Sequence, residues 1–185
     1  MSFPGIPSLD AAVMAFIQTH FHNTVTDTVF PIITSLGEAG IGWIVLSLVL
    51  LCFKKTRRTG GLVLIAMTVT LLFGELTLKN IICRLRPCNV FTDFPMLIAR
   101  PTSYSFPSSH TSSSFAAALI LTLRHKKVGW LAYIPAVLIA FSRLYLYVHF
   151  PSDVLGGAVL GVGIGLLMLY GERRIAGRCK HRPLQ

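Results

Sequence analysis

Residues 61–82 read GLVLIAMTVTLLFGELTLKNII. At 1.5 Å per residue, a helix over this stretch is about 33 Å long, enough to cross a hydrocarbon core of about 30 Å. No polar face recurs along it, as it would on a water-facing helix. Its only charges are Glu75 and Lys79, one turn apart and spaced to pair. The rest of the chain is of the same kind. Of 185 residues, 53% are hydrophobic and 13% charged, against a usual charged share of about 25%. Too few polar groups remain to coat a soluble domain. Disorder is excluded by the apolar fraction, and collagen-like or low-complexity sequence by the lack of any short repeat. The length allows one membrane domain, residues 1–185.

Working outward, the sequence predicts an all-α integral membrane bundle of five to six transmembrane helices. Ser8–His20, with Pro7-Ser8 as its start, places Leu9, Ala12, Val13, Phe16 and Ile17 on one face. It is too short to span, so an N-terminal interfacial segment over residues 1–23 is expected. Asp27–Phe53 is the first span, bent or broken near Gly37–Gly40, with two shorter helices as the alternative. Ser109–Leu123, Gly129–Val148 and Asp153–Tyr170 complete the bundle after the stretch at 61–82. Gly157 and Gly161, four residues apart, suit close helix packing. No Lys or Arg precedes Lys54, so the spans themselves, not a cleaved basic leader, are expected to target the chain. Cys52, Cys83, Cys88 and Cys179 lack a metal-binding spacing. A Cys83–Cys88 disulfide is conceivable outside the cell, but free thiols are expected, because few disulfides close so short a loop.

The formal charge is +10. On a soluble domain that excess would suggest nucleic acid. Here most of the 17 Lys and Arg fall between or after spans. They form three groups: Lys54, Lys55, Arg57 and Arg58; Arg124, Lys126 and Lys127; and Arg173, Arg174, Arg178, Lys180 and Arg182 in a basic tail over 171–185. Alternating spans put all three on one face, which the positive-inside rule makes cytoplasmic. A nucleic-acid partner is therefore not expected. Lys79, Arg84, Arg86, Arg100 and Arg143 are left on the opposite side, where cations at membrane depth suggest a functional site for an anion.

Three clusters meet there, over residues 79–153. Lys79 and Arg86 stand seven positions apart, close to two helical turns, with Pro87 following. Pro107-Ser108-Ser109-His110 opens a span, with Ser108 as N-cap and free N–H groups behind it. Ser142-Arg143, His149 and Asp153 bridge the last two spans across Pro151. Three cations and a helix terminus suit the spread charge of a phosphoryl group in transfer. Two histidines allow a nucleophile and a general acid, and a carboxylate four residues past His149 can fix its tautomer.

The ordered set Lys-x6-Arg-Pro, Pro-Ser-x-His and Ser-Arg-x5-His-x3-Asp resembles the type 2 phosphatidic acid phosphatase superfamily, which includes membrane lipid phosphatases and vanadium haloperoxidases. The resemblance implies that His149 attacks phosphorus and becomes a phosphohistidine, with Asp153 orienting it. It implies that His110 protonates the leaving group and then activates water. Lys79, Arg86 and Arg143 would bind phosphate oxygens, with Ser108 and Ser109 assisting. The family commonly has glycine where Ser109 stands; serine is harmless there if the backbone is helical. No metal or other cofactor is implied.

Small bacterial members of the family act on undecaprenyl diphosphate or phosphatidylglycerophosphate. The partner expected is thus a lipid phosphate in the bilayer, with undecaprenyl diphosphate ahead of phosphatidylglycerophosphate or phosphatidate because an extracytoplasmic site suits recycling of that carrier. The residues alone also admit an anion transporter, although the chain shows no inverted repeat. Arg84 and Arg100 read as interface or headgroup anchors. The motifs do not specify the oligomeric state.

Overall fold

The computed structural model describes residues 8–180. Pro7 and the end of the basic tail, including His181 and Arg182, lie outside the described residues. Among the described residues there are helices and no strands. Helix α1 spans Ser8–His20. Helix α2, Thr24–Gly37, starts at Asn23, whose side chain accepts from the N–H groups of Val25 and Thr26. A 3-10 turn, Glu38–Gly40, leads into α3, Ile41–Cys52. Ala39 and Gly40 are both left-handed there, with φ of 49° and 71°. The first span is therefore broken at the position expected. The left-handed conformation of Gly40 favours glycine, whereas the nearest atom to an added Cβ is the movable Met67 Cε, at 2.2 Å.

Helix α4, Arg57–Thr70, runs on through a π-helical segment, Leu71–Leu78, into α5, Lys79–Ile82. Cys83 ends this rod in a left-handed C-cap. The short α6 spans Pro87–Val90 and α7 spans Ser109–Arg124. A 3-10 turn, Gly129–Ala132, precedes α8, Tyr133–Tyr145, and α9 spans Pro151–Lys180.

Helix α7 is the axis, packed by α9, α4 and α8. Its Ala116, Ala117 and Ala118 are fully buried. The close approach of α9 is set by glycines. A Cβ on Gly157 would lie 2.5 Å from the Ser108 carbonyl oxygen, and one on Gly161 2.2 Å from that of Ser112. The 16 residues of α7 measure about 24 Å, less than the hydrocarbon thickness. Thr24–Cys52, Arg57–Val90 and Pro151–Ile175 are long and apolar enough to cross, and Gly129–Tyr145 is a shorter apolar helix. Large apolar side chains such as Leu48, Phe73, Val137, Val159 and Leu167 point outward from them, as lipid-facing surfaces do.

At one end, Arg124 pairs with Glu172 and the Thr59 hydroxyl meets the His125 Nε2 at 3.1 Å. The basic residues around 54–58, 124–127 and 172–174 thus share one end of the bundle. Cys52, Cys83 and Cys88 are free thiols.

The inner face of α1 is Asp10, Met14 and Ile17, while Leu9 and Phe16 are exposed. One expected boundary is corrected. Helix α8 stops at Tyr145, not Val148, because Tyr147 takes a left-handed φ of 60°. That turn swings the chain back toward His149.

Candidate active site

The end of the bundle opposite the basic loops holds a polar cavity of about 420 Å³. Its walls include Glu75, Lys79, Arg86, Ser109, His110, Arg143 and His149. Each wall residue is delivered by a different local device.

Lys79 follows the π-helical segment and is 3% exposed. Its Nζ meets the Glu75 carboxylate at 2.7 Å and lies 3.5 Å from the Ser103 hydroxyl. The ion pair expected from the one-turn spacing is therefore present. Arg86 sits in extended backbone before Pro87 and is clamped from several sides. Its Nε donates to the Ser103 carbonyl at 2.7 Å, Nη2 to the Ser103 hydroxyl at 3.0 Å, and Nη1 to the Val148 carbonyl at 2.9 Å. Nη1 also lies 3.0 Å from the His149 Nε2. Arginine only donates, so Nε2 is the acceptor and the ring proton resides on Nδ1.

That proton points away from the cavity. His149 Nδ1 is 3.4 Å from the Ser105 hydroxyl and 3.6 Å from an Asp153 oxygen. The same Asp153 oxygen accepts the Ser105 hydroxyl and the Phe150 N–H at 2.7 Å. Asp153 thus orients His149 partly through Ser105, a residue that no spacing rule singled out. Burial, with the Arg86 and Arg143 guanidiniums, holds the His149 imidazole well below the ordinary histidine range. It is neutral at pH 7, with a lone pair on Nε2 facing three cations.

Arg143, near the end of α8, gives Nη1 to the Thr34 hydroxyl at 2.5 Å. Its buried Nε has no hydrogen-bond partner in the protein. His110 lies on the first turn of α7 beside Gly37, where an added Cβ would come within 2.9 Å of the imidazole Cδ2. Ser109 is absent from the left-handed residues, so serine fits the helical backbone where glycine is common. Its hydroxyl donates to Glu75.

Ser108 departs from the expectation. Its hydroxyl accepts from the Thr111 hydroxyl at 2.9 Å and the Thr111 N–H at 3.5 Å. It caps α7 as expected, but Ser108 is not among the residues lining the cavity. Arg84 is also corrected: it makes ion pairs with Asp10 and Asp153, so it is not a headgroup anchor. Arg100 donates to the carbonyls of Cys88 and Thr92 at 2.7 and 2.5 Å, tying down α6 and the turn after it.

Lys79, three arginines (Arg86, Arg100 and Arg143) and two histidines line one cavity, and a neutral imidazole backed by a carboxylate is an arrangement suited to phosphoryl transfer. Residues 59–175 match the family model of the PAP2 superfamily. The chain belongs to the PAP2 superfamily. The PAP2 match takes in every cavity cation and both histidines but leaves out α1, α2 and α3.

An undecaprenyl-diphosphatase of Sulfolobus acidocaldarius is 38% identical over 126 residues, which is 68% of this chain and 61% of that protein. The chain therefore matches about three fifths of that relative's length. Undecaprenyl-diphosphatase BcrC of Bacillus subtilis is 32% identical over 155 residues, 79% of this chain and 75% of that one. The crystal structure of a transmembrane PAP2-type phosphatidylglycerolphosphate phosphatase from Bacillus subtilis superposes with a TM-score of 0.74. It is 29% identical and covers 94% of this chain and 89% of that one.

Proposed function

We propose that this chain is an integral membrane phosphatase that hydrolyses a lipid phosphate or diphosphate, with undecaprenyl diphosphate, cleaved to undecaprenyl phosphate, as its substrate. The observation that carries the chemistry is the His149 Nε2, accepting from Arg86 at 3.0 Å on a wall shared with Lys79 and Arg143. Nε2 attacks phosphorus while Lys79, Arg86 and Arg143 hold the equatorial oxygens. The bond to the leaving oxygen breaks, and His110 gives that oxygen a proton. His110 then takes a proton from water, which attacks the phosphohistidine. The P–N bond breaks, His149 is restored and inorganic phosphate leaves.

The lipid part of the reading rests on a second cavity, of about 310 Å³. It is bounded by Ile44, Leu64, Met67 and Leu71, and shares Ser109 and His110 with the polar one. An apolar tail on the leaving group would thus lie on the His110 side, opposite the nucleophile. The choice of lipid rests on the undecaprenyl-diphosphatases among the relatives. The Bacillus subtilis phosphatidylglycerolphosphate phosphatase supports a second reading with the same mechanism. The active site is taken to face the extracytoplasmic side, with the basic loops and the C-terminus in the cytoplasm.

The test is phosphate release by purified protein in detergent, with and without EDTA, from undecaprenyl diphosphate, phosphatidylglycerophosphate and phosphatidate. Release that persists in EDTA and is lost in His149→Ala supports the histidine mechanism, and the fastest substrate assigns the lipid. Unimpaired release by His149→Ala would overturn it.

A further inference from the structure

Behind the cavity, a buried polar cluster joins α1 to the start of α9. The residue before α9 is Phe150, which has no side-chain oxygen to cap the helix. Asp10 of α1 takes that part: its Oδ1 accepts the Ser152 N–H at 2.9 Å. The Asp10 Oδ2 accepts the Ser152 hydroxyl at 2.5 Å and Arg84 Nη2 at 2.7 Å. Arg84 Nη1 donates at 2.6 Å to Asp153 Oδ1 and at 2.6 Å to the Ser152 hydroxyl. Its guanidinium lies over the Phe150 ring, 4.4 Å from the centroid. Asp10 is 3% exposed and Asp153 fully buried, so these charges are hardly screened by solvent.

We infer that Arg84 and Asp10 are positioning residues for His149: Arg84 fixes the rear oxygen of Asp153, and Asp10 offsets the charge of Arg84. The inference rests on reading His149 as the nucleophile. Once Nε2 bonds to phosphorus while Nδ1 keeps its proton, the ring becomes cationic. Arg84 alone would cancel Asp153 and leave that cation without a counter-charge. With Asp10 included, one net negative charge remains behind the ring.

The groups that face His149 are of both signs. Lys79 on α5 with its partner Glu75, Arg86 before α6, His110 on α7 and Arg143 on α8 line the cavity side. Ser105 and Asp153 stand on the Nδ1 side, with Arg84 and Asp10 behind them. Removing Asp10 makes this surrounding more positive and the imidazole less basic. Removing Arg84 does the reverse.

The experiment compares kcat, KM and the pH profile of kcat/KM for the full chain, Asp10→Asn, Arg84→Gln and Arg84→Lys, with His149→Ala alongside. Asp10→Asn and Arg84→Gln are expected to lower kcat roughly tenfold or more, with KM little changed. The acid limb should move down in pH for Asp10→Asn and up for Arg84→Gln, by on the order of one unit. Arg84→Lys should bring the limb back toward that of the unaltered chain. Lower kcat with the limb unmoved, or moved in the same direction in both, would overturn the inference and leave the cluster a structural role alone. If Asp10→Asn yields no folded protein, the two Arg84 variants carry the same test. A fully active His149→Ala would instead remove the nucleophile reading on which the inference stands.

Discussion

At the scale of single residues, the site is a balance of charge more than a collection of cations. Glu75 places a carboxylate 2.7 Å from the Lys79 ammonium on the cavity wall, where a phosphate oxygen binds in the proposed mechanism. We expect Glu75→Gln to tighten inhibition by inorganic phosphate about three- to tenfold, because the anion no longer competes with a carboxylate. Steady-state inhibition constants check this. Weaker phosphate binding would mean that Glu75 matters for aiming Lys79 and not for its charge. The cavity residues Lys79, Arg86, His110, Arg143 and His149 were legible in the sequence as three ordered clusters, although Arg86 and His149 lie in the backbone between helices and not on the helical faces that the spacing suggests. Ser103, Ser105 and Asp10 were not. The two serines reach the site from a loop, where no periodicity fixes direction. Asp10 was assigned no role on a helix expected to meet lipid headgroups, yet a lone acid on an otherwise apolar turn was the available signal. The chain holds only 7 Asp and Glu, so an acid on an apolar helix stands out.

At the scale of elements, the contact of α7 with α9 holds the catalytic groups in register, since His110 opens one helix and Asp153 the other. Gly161 and Gly163 separate packing from propensity. A Cβ at 161 would press on the Ser112 backbone at 2.2 Å, whereas one at 163 meets nothing within 4 Å. Gly161→Val is expected to cost about 3 kcal/mol or more and to abolish turnover. Gly163→Val should leave both nearly unchanged. Thermal unfolding in detergent, with turnover measured on the same samples, compares them. Loss of fold in both would shift the cause from contact to helix propensity. The four-residue spacing makes Gly157 and Gly161 readable as a packing pair in the sequence, and the sequence also places the break in the first span. It did not show the π-helical segment, which leaves no trace in a pattern of apolar residues. Nor did it show the early end of α8, which depends on one left-handed residue, Tyr147.

For the whole molecule, the open question is which end faces which compartment. Cys52 and Cys83 are both exposed, the first at the end of α3 among the basic loops and the second at the end of α5 beside the site. In intact cells producing a Cys179→Ser chain, a membrane-impermeant maleimide is expected to label Cys83 and spare Cys52. Lysis should expose Cys52 as well. Labelling of Cys52 alone before lysis would invert the orientation. The positive-inside rule reads only the basic loops, so this experiment tests it with groups that the rule does not use.

The bond from Asp10 to the Ser152 N–H spans 142 positions of sequence, and it bears on how the protein is made. On the ribosome, the carboxylate emerges long before the helix it caps. Until the last span is inserted, the chain lacks Asp153, and Asp10 lacks the Ser152 N–H that it accepts. A nascent chain therefore cannot assemble the proposed centre before its last helix is in place.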